Sequence, residues 1–392
     1  MADPRLPVLL LGATGSIGQS TLDLLRRYPD RFLLAGVSAR TRIDELAAIA
    51  REFETTALVV GDEAGAARLT ATHPELVPRL AGVGGAGFEA MLEGAPSALV
   101  VNGLVGAVGL QPTLMALERG HDVALANKEA LVVGGELVLD AARRGGATLW
   151  PVDSEHSAIA QCLRGNPRSE LRRIWLTASG GPFRDHEPES LGSVTLEEIL
   201  DHPNWDMGPK ITVDSATMMN KGLEIIEAML LFGTPLADVS VVIHRQSIVH
   251  SMIEFVDGSF LAQLGAPDMR IPILYALSRG EHWECDVAPM DPLRLGRLDF
   301  EAPDPRRYPC LELARRAAEA GGGAPLVLNA ANEAAVAGVL DSRLSFMDIP
   351  RIIEATLARV SHAAVRSVEE ALERDREARA HAAELVGQRA RT

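Results

Sequence analysis

The chain has 392 residues, 47% of them hydrophobic and 23% charged, with a net charge of −15 at pH 7. That length suffices for two or three domains with ample cores. The acidic balance argues against a nucleic-acid or anionic-membrane surface, which needs a basic field. Cys162, Cys285 and Cys310 show no CxxC spacing, so no disulfide framework is expected and a reducing compartment is.

The apolar run at 8–11 is too short for a signal sequence and leads straight into a glycine-rich turn, so it reads as a first strand. No stretch of 18 apolar residues follows, no membrane span is expected, and the expected location is cytoplasmic. Strands are then expected over 32–38, 57–60, 98–101, 122–126 and 148–152. Helices are expected over 19–27, 43–53, 111–119 and 131–144. This alternation predicts a doubly wound parallel sheet of the Rossmann type over 1–150, with ligands gathered beyond the carboxyl ends of its strands.

The pattern changes after about 150. A strand over 174–178 ends in Ser179-Gly180-Gly181, and an irregular polar stretch, about 180–210, reads as a lid. Two strands, 248–255 and 259–264, flank Asp257-Gly258 as a hairpin. Residues 151–285 are thus expected to form an α+β catalytic domain. Proline-rich residues 286–310 read as a linker. Helical runs over 311–320, 329–340 and 349–362 predict a small C-terminal helical domain over 311–392, whose last thirty residues are expected to fray.

Gly12-x-x-Gly15-x-x-Gly18 follows a strand and opens a helix, the setting in which glycines let a pyrophosphate approach a helix N-terminus. Thr14 and Ser16 add hydroxyl donors. The second strand ends in Arg40-Thr41-Arg42 instead of an acid, which suits the 2′-phosphate of NADPH. Solvated loop cations are the plainer reading of these arginines.

Asp153 and Glu155 are two apart, so if the preceding strand continues through them both face one side. Asn220 and Glu224 are i,i+4, and Lys221 and Glu224 are i,i+3, on a helix expected over 221–231. Three carboxylates with no cysteine nearby suit Mg²⁺ or Mn²⁺. Helix caps and a surface Lys221–Glu224 pair explain the spacing equally well. Ser179 and Ser215 are candidate phosphate donors. His202, Trp205 and Met207 lie in the lid, where the two apolar residues would exclude water or anchor the loop. His244 and His250 read as structural.

With these residues in place, the chain resembles the 1-deoxy-D-xylulose 5-phosphate reductoisomerase family. The shared motifs include Gly12–Gly18, Ala126-Asn127-Lys128-Glu129 and the run from Pro151 to His156. They continue with Ala178–Phe183, His202–Trp205, Met219–Glu224, Gln246–Ser251 and Leu328–Glu333. The resemblance implies rearrangement of a ketose phosphate and its reduction by NADPH to 2-C-methyl-D-erythritol 4-phosphate, within isoprenoid precursor synthesis. It implies metal ligation by Asp153, Glu155 and Glu224, and sugar contacts from Lys128 and Ser154. The phosphate would be held by Ser179, Ser215, Asn220 and Lys221, with His202 closing from the lid. Thr14, Gly15, Ser16, Ile17, Asn127, Glu129 and Gly208 match cofactor contacts, and a homodimer is implied. Lys128, Glu155 and His202 are the catalytic candidates. One departure is that Arg40-Thr41-Arg42 replaces a pattern that commonly begins with glycine. The competing readings are another NADPH oxidoreductase, such as a homoserine or semialdehyde dehydrogenase, and an inactive dinucleotide sensor.

Overall fold

A computed structural model describes residues 5–205 and 207–389. Asp206 of the expected lid and the last three residues of the tail lie outside the described residues. In chain order the first part runs β1 (Leu6–Leu11), α1 (Ser16–Arg27), β2 (Phe32–Ala39), α2 (Ile43–Glu52), β3 (Ala57–Val60), α3 (Glu63–Thr72), β4 (Leu80–Val83) and α4 (Gly84–Glu93). It continues with β5 (Leu99–Asn102), α5 (Leu110–Glu118), β6 (Val123–Leu125), α6 (Lys128–Gly134), α7 (Glu136–Gly145) and β7 (Leu149–Pro151). Then come α8 (Ser154–Leu163), β8 (Leu171–Ala178), α9 (Leu196–Leu200), α10 (Pro209–Ala216), α11 (Met219–Phe232), β9 (Val239–Ile243), β10 (Val249–Phe255) and β11 (Phe260–Leu264). The helices α12 (Arg270–Leu277), α13 (Pro292–Leu295), α14 (Pro309–Ala320), α15 (Ala324–Leu340), α16 (Asp348–Arg359) and α17 (Val368–Arg389) complete the chain.

Two compact units result. The first comprises residues 1–130, 138–153 and 269–286. Its seven strands are parallel, in the order β4-β3-β2-β1-β5-β6-β7. Strand order reverses at β1, the switch point where such sheets bind dinucleotides. The strands are near-continuous apolar runs because helices cover both faces. Val8, Leu10, Val37, Leu58 and Val101 are buried in the resulting core. The segment 269–286 joins this unit because Ile273, Leu274 and Leu277 of α12 enter the same core.

The second unit comprises residues 131–137, 154–268 and 287–392, so the C-terminal helices share one body with residues 154–268 of the expected catalytic domain. Its sheet runs β11-β10-β8-β9, with β8 and β9 parallel and the other pairs antiparallel. Apolar residues of α10, α11, α14, α15 and α16 form one core, including Val213, Leu223, Ala314, Leu328 and Ile352.

Three local expectations are corrected. The helix expected over 131–144 is two helices, interrupted at Gly135, whose φ is +47°. The strand does not continue from 152 through Glu155: β7 ends at Pro151 and Ser154 opens α8. Pro151 has no N–H to extend a ladder, and Ser154-Glu155 suits a first helical turn. The tail does not fray before Arg389, because Ala371, Ala378, Ala382 and Val386 form a buried stripe along α17. Arg379 adds bonds to Glu333 at 2.7 Å and Asp375 at 2.6 Å.

Candidate active site

The glycine turn in the first unit is built for close backbone approach. A Cβ on Gly12, whose φ is +78°, would sit 2.8 Å from the Gly103 carbonyl oxygen, and one on Gly18 would sit 2.3 Å from that of Ala13. Gly15 is the N-cap of α1 and carries no side chain to cap the first N–H groups of the helix. Thr14 is buried, Ile17 half-buried and Ser16 exposed. The turn is tied to β2 through Gly12 N–H to Ser38 Oγ, 3.2 Å, and Ala13 N–H to Ser38 O, 2.9 Å.

Arg40, Thr41 and Arg42 stand directly beyond the carboxyl end of β2, all exposed. Arg40 Nε lies 3.4 Å from Asp62, and Arg42 Nη1 lies 3.3 Å from Glu45. Asn127 and Glu129 are buried. The Asn127 amide donates to the Leu104 and Gly106 carbonyls at 2.9 Å each, and its Oδ1 accepts from Ala130 N–H. Those bonds are spent on the protein, so Asn127 braces the loop after β5. Lys128 forms an ion pair with Asp153, and both side chains are nearly buried.

In the second unit, α8 and α11 bring charged groups together. Lys221 Nζ lies 2.7 Å from Glu155 Oε1 and also bonds Glu224 Oε2. Asn220 Nδ2 donates to Glu224 Oε1 at 2.5 Å, and Ser154 Oγ to Glu155 Oε2 at 2.6 Å. Glu224 is fully buried, as Lys221 nearly is, so this is no surface pair. Glu155 is brought to Glu224 by the first turn of α8 instead of by a strand face. Hard carboxylate oxygens held together by one ammonium fit a site for Mg²⁺ or Mn²⁺.

The phosphate candidates converge on the same unit. β8 delivers Ser179, whose Oγ accepts from Gly181 N–H at 3.1 Å and lies 3.0 Å from His202 Nε2. Tyr308 O–H holds the Gly180 carbonyl at 2.8 Å. Ser215 sits on the last turn of α10, and Met218, in the left-handed region at φ +56°, turns the chain into α11, which carries Asn220 and Lys221.

His202 is set by the lid backbone. Its Nδ1 accepts from Asn204 N–H at 3.2 Å and Trp205 N–H at 3.0 Å. The neutral ring therefore carries its proton on Nε2 and donates to Ser179. Burial, with Arg184 adding to it, pushes the His202 imidazole down to about 4. The Trp205 and His250 rings lie tilted to each other, 6.3 Å between centroids. Met207 is half-buried, and Gly208 is the exposed N-cap of α10.

Sequence reasoning missed three groups. His156 is fully buried, with Nε2 2.9 Å from the Glu224 carbonyl oxygen and Nδ1 3.4 Å from Glu227. His250 reads from the sequence as structural; burial pushes its imidazole below the usual range, and Glu155 and Lys221 act on it electrostatically. Asn204 clamps the lid through Arg245 O at 2.8 Å and Ser247 Oγ at 2.9 Å. Only His156, adjacent to Glu155, carried a local signal.

These features fit the class of dinucleotide-binding α/β enzymes, with clustered carboxylates in the second unit. Matches to family descriptions cover most of the chain: 1-deoxy-D-xylulose 5-phosphate reductoisomerase over 8–135, its C-terminal domain over 149–232, and DXP reductoisomerase C-terminal domain over 264–381. The chain belongs to the 1-deoxy-D-xylulose 5-phosphate reductoisomerase family. It is 51% identical over 389 residues to the enzyme of that name from Synechococcus sp. (strain JA-2-3B'a(2-13)), covering 97% of each chain. It is 49% identical over 384 residues to that from Rhodospirillum centenum, covering 97% of this chain and 94% of the relative. Among solved structures, the Zymomonas mobilis enzyme in complex with NADPH superposes with a TM-score of 0.89 at 43% identity, covering 97% of this chain and 99% of that one. A complex of DOX-P reductoisomerase with NADPH, fosmidomycin and magnesium gives 0.90 at 39% identity, covering 97% and 98%.

Proposed function

We propose that this chain converts 1-deoxy-D-xylulose 5-phosphate to 2-C-methyl-D-erythritol 4-phosphate, using NADPH and a divalent cation, through the residues described above. The observation that carries the assignment of roles is the Glu155–Lys221–Glu224 cluster, with Lys221 and Glu224 buried, a costly arrangement unless function needs it. Asp153, Glu155 and Glu224 would hold Mg²⁺ or Mn²⁺, Asp153 being joined directly to the start of α8. When bound, the ion supplies Lewis-acid polarisation of substrate oxygens. Ser154 and Lys128 orient the sugar hydroxyls. Ser179, Ser215, Asn220 and Lys221 grip the phosphate, and His202 donates to it from Nε2 as a neutral ring. Trp205 and Met207 exclude water when the lid is closed.

The cofactor rests on the Gly12–Gly18 turn, its pyrophosphate at the N-terminus of α1 near Thr14, Gly15, Ser16 and Ile17. Arg40 and Arg42 supply charge for the 2′-phosphate, and Asn127 and Glu129 shape the neighbouring loop. Gly208 contributes at the end of the lid.

A semialdehyde dehydrogenase would need a thiolate nucleophile. Burial raises the Cys162 thiol to about 11 and raises Cys310 too. A homodimer is supported by β11, an edge strand exposing Phe260, Leu261 and Leu264. A sequence with three cysteines and no CxxC spacing supports a reducing, cytoplasmic location. Among the described residues no helix is long and apolar enough to cross a membrane. The deciding experiment follows NADPH oxidation with the purified substrate, with and without Mg²⁺ or Mn²⁺. Turnover that survives complete chelation contradicts the metal roles.

A further inference from the structure

We infer that Asn332, on α15, is a positioning residue for the phosphate pocket, acting through Asp214 on Ser215. This rests on the reading of Ser215 as a phosphate donor. Asn332 is fully buried, and its Nδ2 donates to Asp214 Oδ1 at 2.8 Å. The other oxygen of Asp214 accepts from Lys210 Nζ at 2.8 Å, one helical turn earlier. Asp214 is itself buried, and it immediately precedes Ser215 on α10.

The surroundings of this chain of bonds are apolar. Val213 and Ala216 of α10 and Leu328, Ala331 and Ala335 of α15 belong to one core. Apolar packing alone would hold the two helices together but would set their relative register weakly. A carboxylate buried in that layer must keep its donors, because an under-satisfied buried charge is costly. Asn332 therefore fixes where α10 can lie along α15. It thereby fixes the turn that carries Ser215.

A second contact makes that register matter. Gly181, beside the phosphate candidate Ser179, is packed against the Ser215 carbonyl, leaving room for no side chain. Ser215 is thus located from one side by the Ser179-Gly180-Gly181 loop and from the other by Asn332. Lys210 links the same carboxylate to the start of α10, where the lid ends; Thr212 Oγ1 bonds the Gly208 carbonyl there at 3.1 Å. A small displacement of α10 would move a phosphate donor without touching the nucleotide turn.

The test is a double-mutant cycle on the full-length enzyme with Asn332→Ala and Ser215→Ala, reading KM for 1-deoxy-D-xylulose 5-phosphate, KM for NADPH, and kcat. Asn332→Ala alone should raise the substrate KM roughly tenfold, the loss expected for one hydrogen bond to a charged group. KM for NADPH should not move, and kcat should change far less than the substrate KM. In the Ser215→Ala background the effect of Asn332→Ala should vanish, since coupled residues are non-additive. Multiplicative effects, an equal rise in both KM values, or no rise in the substrate KM overturn the inference. If Asn332→Ala does not fold, Lys210→Met completes the cycle from the other donor, with the same expected coupling and the same overturning result. If Ser215→Ala itself leaves the substrate KM unchanged, the phosphate reading of Ser215 has failed, and the positioning role fails with it.

Discussion

Gly181 and Ser215 meet backbone to backbone: a Cβ on Gly181 would lie 2.9 Å from the Ser215 carbonyl oxygen, and Gly181 holds a φ of +67°. An L side chain is therefore excluded by both conformation and space. Gly181→Ala is expected to cost about 1–3 kcal/mol of stability and to raise the substrate KM by pushing α10 away. KM for NADPH should stay put, because the nucleotide turn belongs to the other unit. Steady-state kinetics with both substrates and a thermal melt check this. An alanine variant with unchanged substrate KM would show that the Ser179 loop does not set Ser215.

How much of this arrangement the sequence revealed depended on range. The nucleotide turn was legible because its strand, glycines and helix follow one another directly within residues 6–27, where local geometry decides. For the candidates Asp153 and Glu155 the sequence misleads on geometry: Leu149-Trp150-Pro151-Val152 reads as a strand that carries on, while Ser154 starts a helix. The helices α3, α4, α8 and α10 and the strands β4 and β9 were not anticipated. Short segments such as Leu80–Val83 and Pro209–Ala216 offer too few turns for a period to emerge. The Glu224 contact of His156 spans 68 positions, and the Asp214 contact of Asn332 spans 118. No local pattern encodes pairs that only the tertiary fold creates.

His202 gives a pH prediction whose sign follows from its burial. Its folded-state value is about 4, whereas an unfolded histidine titrates near ~6.5. Between those limits the unfolded chain binds more protons, so stability rises with pH across that window. The contribution is complete above the upper limit and is lost as pH falls towards the lower one. Denaturant titrations through the window should show a slope that His202→Gln flattens. Nitrogen NMR should find a neutral ring protonated on Nε2 at neutral pH. A His202 resonance titrating at the ordinary histidine value would refute the buried, neutral assignment.

Lys221 is the counter-ion of two acids, Glu155 and Glu224, the second fully buried. Lys221→Met leaves both carboxylates without their ammonium. Breaking a buried pair from one side should cost about 3–5 kcal/mol in the metal-free protein. Mg²⁺ can then replace the missing positive charge, so its stabilising effect should be larger in the variant than in the parent. Melting curves with and without Mg²⁺ measure the difference. Equal Mg²⁺ shifts in both proteins would mean that the cation does not bind at these carboxylates.

Arg40 and Arg42 test the choice of nucleotide. Both are exposed, and their partners Asp62 and Glu45 lie at 3.4 Å and 3.3 Å, long for strong ion pairs. Surface pairs of this kind contribute about 0–1 kcal/mol, so little opposes a turn of either guanidinium towards an incoming phosphate. The first strand neighbours β2, which places the end of β2 beside the glycine turn, where the adenosine ribose of a bound dinucleotide falls. Replacing both arginines with alanine should leave the melting temperature nearly unchanged. KM for NADPH should rise by about one to two orders of magnitude, the scale of one or two charge-assisted bonds. KM for NADH, which has no 2′-phosphate, should stay level or fall. If neither constant moves, the two arginines are solvated loop cations, and the preference for NADPH must come from elsewhere on the nucleotide-binding unit.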